Sequence, residues 1–223
     1  MKKFLVLLCL FSTPALADGV AVIELFTSQG CSSCPSADRL VSELGQDPRV
    51  FTLSFHVDYW NRLGWVDPFS RPEYTERQKA YSRHFKQRNI YTPQAVVNGR
   101  WELVGSNRAG LESYLKQAFQ SPATALKLGS RVEKGKLFVT VEAPTLKKAK
   151  QLNLALVTPH AQTAVERGEN SGRRLEHTNV VRAFKQVTLA KPAQQFSLEL
   201  PNLKGLQLVA YFQDGSGAAS LDI

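Results

Sequence analysis

Val20-Ala21-Val22-Ile23-Glu24-Leu25-Phe26-Thr27-Ser28-Gln29-Gly30-Cys31-Ser32-Ser33-Cys34-Pro35 is the stretch on which the fold turns. Val20 to Phe26 is a short, almost wholly apolar run, the pattern of a strand buried on both faces of a sheet. Thr27 to Gly30 break it. After Cys31, apolar residues recur at Ala37, Leu40, Val41 and Leu44. This is the i, i+3, i+4, i+7 stripe of an amphipathic helix ending near Gly45. The two cysteines therefore stand where a buried strand hands over to a helix.

Outward from this unit, Val50 to Val57 reads as a second buried strand, followed by a long connection from Asp58 to Pro68 that carries Tyr59, Trp60 and Trp65. Those aromatics are expected to form a satellite core beneath the connection, the alternative being an apolar ledge for substrate. A polar helix runs from about Pro72 to Lys86, with Ser70 and Glu73 spaced as a capping box. Ala95-Val96-Val97 and Trp101-Glu102-Leu103-Val104 flank Asn98-Gly99, the residue pair of a tight type I′ hairpin. Asn107 can cap a last helix bearing Leu111, Tyr114, Leu115 and Ala118. The order is β-α-β-α-β-β-α. Past Ser121-Pro122 the period becomes two, as in Leu137/Val139/Val141 and Leu152/Leu154/Leu156. Residues 18–120 are thus expected to form an α/β domain around a central sheet, and 121–223 a small all-β antiparallel sandwich. The charged stretch holding Glu166, Arg167, Glu169, Arg173, Arg174 and His177 could contact a partner or fold over the α/β domain, but reads first as a solvated loop.

Lys2 and Lys3 precede an apolar run from Phe4 to Phe11, and Ala15-Leu16-Ala17 follows as a small-x-small cleavage signal. Residues 1–17 accordingly read as a secretory signal peptide cleaved after Ala17, which predicts a periplasmic or secreted bacterial protein. No segment approaches the roughly 20 consecutive apolar residues of a spanning helix, so no stable membrane insertion is expected after cleavage. Cleavage lowers the net charge from +9 to +7 and removes Cys9, leaving Cys31 and Cys34 as the two remaining cysteines. The basic residues are scattered, densest at Lys147, Lys148 and Lys150, and with the export signal this argues against nucleic acid as a partner. With no third thiol, any exchange must involve another molecule.

A CxxC serves zinc ribbons, redox enzymes and structural disulfides alike. Structural zinc is excluded because a closed site wants four ligands, whereas the histidines stand at 56, 84, 160 and 177 with no second CxxC. At the N-terminus of a helix, unpaired N–H groups and the helix dipole stabilise a thiolate. Cys31 is then the exposed, attacking sulfur, and Cys34, further inside, the buried one that resolves the mixed disulfide. No metal and no cofactor is required for that chemistry.

Strand, CxxC, helix, strand, helix, and then Thr92-Pro93 opening a hairpin resembles the thioredoxin-like superfamily. The resemblance implies that Pro93 is a cis-proline beside the CxxC and that Thr92 faces an extended substrate, whose partner class is protein thiols or disulfides. Glu24 to Pro35, His56-Val57-Asp58-Tyr59-Trp60, Gly64-Trp65, Arg77-Gln78, Tyr91-Thr92-Pro93-Gln94, Gly168-Glu169-Asn170 and Asn179-Val180-Val181-Arg182 look like a group of secreted bacterial thioredoxin-like proteins of uncharacterised function. Ser32-Ser33 replaces the Gly-Pro of thioredoxin itself, and Gly30 replaces its tryptophan. The dipeptide tunes a potential that spans roughly −270 to −120 mV across the superfamily.

His56 and Asp58 point to one side of the second strand by period two, near the CxxC end of the sheet. Three roles stay open for them: a His–Asp pair anchoring the long connection, tuning of the thiols, or a soft-metal site in which Cys31, Cys34 and His56 hold Cu(I). A non-enzymatic binding module with a structural disulfide is the remaining alternative to thiol exchange.

Overall fold

The computed structural model describes residues 19–133, 136–199 and 204–223. The expected signal peptide, residues 1–17, lies outside them. Among the described residues no helix is long and apolar enough to cross a membrane. The first half contains β1 (Ala21–Thr27), α1 (Cys34–Leu44), β2 (Val50–His56), α2 (Pro72–His84), β3 (Gln94–Val97), β4 (Trp101–Val104) and α3 (Arg108–Phe119), in the order the periodicity predicts. β1 is buried at all seven positions, as a strand covered on both faces must be. It pairs in parallel with β2, from Ala21↔Val50 to Thr27↔His56, and antiparallel with β3. Asn98 and Gly99 between β3 and β4 have φ of 51° and 64°. That is the left-handed pair a type I′ turn demands.

Helix starts divide between expectation and correction. The Asn107 side chain accepts a hydrogen bond from the Gly110 N–H at 3.0 Å and caps α3. Asn107→Ala is expected to cost about 1 kcal/mol, read as a lowered urea midpoint with an unchanged slope. Ser70, by contrast, caps nothing. α2 begins after Arg71, which is extended at φ −142° and ψ 141° and makes no side-chain cap. Pro72 in the first turn forces its predecessor out of the helical region, while the Ser70 hydroxyl donates to the Asp67 carbonyl.

The second half contains β5 (Lys127–Glu133), β6 (Lys136–Glu142), β7 (Lys150–Ala164), β8 (Arg174–Leu189), β9 (Ala193–Glu199), β10 (Gln207–Phe212) and β11 (Ala218–Asp222). It does not close on itself as a separate sandwich. One eight-stranded sheet runs β11-β10-β7-β8-β2-β1-β3-β4 through both halves, joined by the parallel pair Ser54↔Val180. The other sheet has three strands, β5-β6-β9. β7 and β10 explain the fusion. Leu152, Leu154, Leu156, Leu208, Ala210 and Phe212 face β6 and β9 in one core. The intervening Ala155, Val157, Val209 and Tyr211 enter a second core with Phe26, Phe55, Tyr74 and Tyr81 from the first half. Both faces are apolar, so the strands need a covering layer on each side. The result is mixed α/β, with a large central sheet and extra antiparallel strands.

Candidate functional site

Cys31 and Cys34 form a disulfide, with Cα atoms 5.4 Å apart. Cys31 lies in the turn before α1, its N–H donating to the Ser28 carbonyl and its carbonyl accepting from Cys34 N–H. α1 starts at Cys34, and Pro35 in its first turn lacks an N–H that would in any case have no partner. Ser33 occupies the N-cap but makes no capping bond. Its hydroxyl instead lies 3.4 Å from Cys31 Sγ. A hydroxyl there can donate to a thiolate, adding to the favourable field of the helix N-terminus.

The Thr92–Pro93 peptide is cis. Trp60 links it to Gly30, the residue before Cys31: its Nε1 donates to Thr92 Oγ1 at 2.8 Å, and a Cβ on Gly30 would come within 3.1 Å of Trp60 Cβ. Tyr59 and Trp60 pack partly buried against the core, as expected of a satellite cluster. Trp65 does something else, donating to Gln29 Oε1 at 3.0 Å.

His56 and Asp58 part company. His56 Nδ1 lies 2.7 Å from Asp67 Oδ2, both side chains fully buried, whereas Asp58 accepts from the Thr75 hydroxyl. Asp67 rather than Asp58 therefore anchors the connection, because the chain folds back over β2 and presents a carboxylate that also accepts from Gln29 and Phe69 N–H groups. Burial alone would push His56 down and Asp67 up. The attraction and hydrogen bond between them outweigh it, holding the imidazole above its ordinary value and the carboxyl below. Behind this pair the His177 ring meets His56 edge to face at 4.6 Å, and its Nδ1 lies 3.5 Å from Asp38 on α1. Asp38 and His177 also line a cavity of about 570 Å³ between α1 and the β7–β8 hairpin. Among the described residues no three His, Cys, Asp or Glu side chains converge to hold a metal ion, so Cys31, Cys34 and His56 are not assembled into such a set.

One expectation fails at the cysteines and another holds in part. Cys31 is 0 % exposed, like Cys34, and the segment read as solvated charge lies across it, although Glu166, Arg167, Glu169, Arg173 and Arg174 are themselves exposed. Asn170 Nδ2 donates to the carbonyls of Gln29 and Cys31, both at 2.9 Å. Glu169 Oε2 accepts from Ser32 N–H at 3.0 Å, and hydrogen bonding from the Ser32 hydroxyl, then from this N–H, lowers its carboxyl. His177 is buried too. These contacts span 137 residues or more, and no local pattern reports them. Gln29 is the residue sequence reading passed over: its N–H donates to Asp67, its carbonyl accepts from Asn170, its Oε1 accepts from Trp65 and its Nε2 donates to Thr163. A buried amide with every group committed is a strut for the neighbouring cysteine.

A family model described as "Protein of unknown function (DUF1223)" matches residues 22–213. Among solved structures, protein AGR_C_4864 from Agrobacterium tumefaciens is 26 % identical, with a TM-score of 0.69 over 92 % of this chain and 95 % of that one. HBP35 of Porphyromonas gingivalis is 15 % identical, with a TM-score of 0.64 over 93 % of this chain and 76 % of that one, a likeness of fold alone. No curated protein matches the sequence.

Proposed function

This chain belongs to the DUF1223 family, whose description carries no function, and we propose from its own residues that it is an exported thiol–disulfide oxidoreductase with a thioredoxin-like core. The observation that carries this reading is the Cys31–Cys34 disulfide at the entry to α1. The cis Thr92–Pro93 bond and the Ser33 hydroxyl near Cys31 Sγ support it, and residues 1–17 supply the export signal.

In the reduced protein the Cys31 thiolate attacks one sulfur of a partner disulfide, forming a mixed disulfide and releasing one partner thiolate. Cys34, after losing its proton, attacks Cys31 Sγ; the 31–34 bond forms and the second partner thiolate leaves. Two electrons pass to the partner, and the reverse sequence oxidises a partner dithiol. In this reading Thr92 and Pro93 are assigned to meet the extended partner, as the thioredoxin-like resemblance implies, and the partner class is a protein thiol or disulfide. No cofactor enters.

The test is a Cys34→Ser variant expressed with its export signal. It is expected to accumulate mixed disulfides through Cys31 that dissolve in dithiothreitol and vanish in the Cys31→Ser/Cys34→Ser double variant. A Cys34→Ser protein that stays wholly free of adducts in an oxidising compartment contradicts the reading.

A further inference from the structure

Ser32 and Ser33 are exposed, yet the cysteines enclosing them are not. The segment bound across Cys31 is a compact corner at the tip of the β7–β8 hairpin. It is tied to itself by Val165 N–H to the Arg173 carbonyl and Gly172 N–H to the Val165 carbonyl, at 2.9 and 2.8 Å. Gly168 and Gly172, both at φ +78°, let the chain double back. Arg173 Nη1 donates to Asn170 Oδ1 at 2.7 Å. That bond fixes the orientation of the Asn170 amide, so both its N–H groups must point at the carbonyls of Gln29 and Cys31. Glu169 completes the set by accepting from Ser32 N–H.

Seen from the cysteines, three main-chain groups over four residues are satisfied by side chains from a distant loop: two carbonyls and one N–H. An extended polypeptide offers the same complement, N–H groups for the carbonyls and a carbonyl for the N–H. The loop also opposes the chemistry electrostatically. A Glu169 carboxylate on Ser32 N–H sits beside the helix N-terminus where thiolate charge would develop, and like charges so placed repel. Leaving without replacement would strand the Gln29 and Cys31 carbonyls and Ser32 N–H unless water or a partner took over their bonds.

We propose that Glu169 and Asn170 act as an internal stand-in for partner backbone, closing the redox pair until an extended segment of a partner protein displaces them and pairs with Gln29, Cys31 and Ser32. The partner face is thus the main chain flanking Cys31, and the loop is its resting occupant. This rests on the thiol-exchange reading for its purpose, but not for its measurement.

The experiment follows pseudo-first-order reduction of the Cys31–Cys34 disulfide in the full mature protein by 2-mercaptoethanol and by an extended cysteine-containing heptapeptide, quenched by alkylation. Asn170→Ala is expected to speed reduction by 2-mercaptoethanol about tenfold, from the worth of the two bonds removed, and Glu169→Gln several-fold, because the charge is lost while a weaker neutral bond to Ser32 N–H can persist. Glu169→Gln keeps the test alive if Asn170→Ala does not fold, since Glu169 is exposed and bonds to Ser32 at the surface. The gain should be smaller for the heptapeptide, which brings its own displacing amides. Wild-type rates in both variants overturn the closure, and equal gains with both reductants overturn the backbone-mimic role. Because no partner protein is present, faster reduction in a chain that traps no mixed disulfide would defeat the proposed function and leave the closure standing.

Discussion

Arg77→Met is expected to lower the unfolding free energy by about 3–5 kcal/mol, the usual consequence of stranding one member of a buried ion pair. Arg77 on α2 donates from Nε and Nη2 to both oxygens of Glu24 on β1, at 2.6 and 2.7 Å. The Glu24 side chain is 2 % exposed and that of Arg77 12 %. Tyr81 donates to Glu24 Oε1, Gln213 donates to the Tyr81 hydroxyl and accepts from Arg77, and the guanidinium lies 4.3 Å over the Phe184 ring of β8. Burial raises the Tyr81 and Tyr211 hydroxyls far from titration, and the Glu24 carboxylate adds to it, so both stay neutral donors or acceptors. This cluster therefore fastens β1 and α2 to β8 and the end of β10, and the loss should fall on both halves together. Chemical denaturation at neutral pH is the measurement. A Glu24→Leu/Arg77→Met double variant should recover much of the loss, because no lone charge remains. A single-variant cost below about 1 kcal/mol would show that the pair does not hold the halves together.

Asp67→Asn should cost roughly 3 kcal/mol and alter the pH profile of stability. The carboxylate accepts three bonds, from His56 Nδ1, Gln29 N–H and Phe69 N–H, at 2.7, 2.8 and 2.9 Å. A carboxamide turns one of its oxygens into a donor facing a donor, and charge-assisted bonds are worth about 1.5–3 kcal/mol each. The folded protein holds Asp67 below its ordinary 3.8 and His56 above its ordinary 6.5. Asp67 thus contributes fully above pH 3.8, and its share disappears as pH falls through the lower folded value. His56 contributes fully below pH 6.5, and its share disappears as pH rises through the higher folded value. Asp38 reinforces the charge on His56 and Arg182 opposes it, while the His177 and Phe69 rings wall it in. The difference between wild type and Asp67→Asn should accordingly be largest between about pH 4 and 6.5 and shrink on both sides. Urea midpoints across pH 2 to 9 read it, and a difference constant with pH would remove the ion pair as its cause.

The legible parts of the molecule are those whose cause is local. A run of seven apolar-dominated residues makes β1, a stripe at helical spacing makes α1, Asn98-Gly99 supplies the two positive φ values, and Asn107 supplies the cap. The capping box at Ser70 misled because Pro72 sets the helix start more strongly than the Ser–Glu spacing does. Period two in Leu152, Leu154 and Leu156 was legible, but Ala155 and Val157 between them are apolar as well, and alternation read from one face leaves the second face unassigned. That second face is what welds the halves into one sheet.

By itself the chain determined that a CxxC stands between a buried strand and an amphipathic helix, because hydrophobic period and breakers act over a few residues. Tertiary structure alone decided what surrounds it. Asp67 rather than Asp58 meets His56, Gln29 becomes the strut beside Cys31, and Glu169 and Asn170 close over a cysteine that helix position alone would leave exposed. The Asp67 contacts form when the connection after β2 folds back over it, and those of Glu169 and Asn170 only when β7 and β8 pass beside α1. Polar groups so buried must find partners wherever the packed chain supplies them.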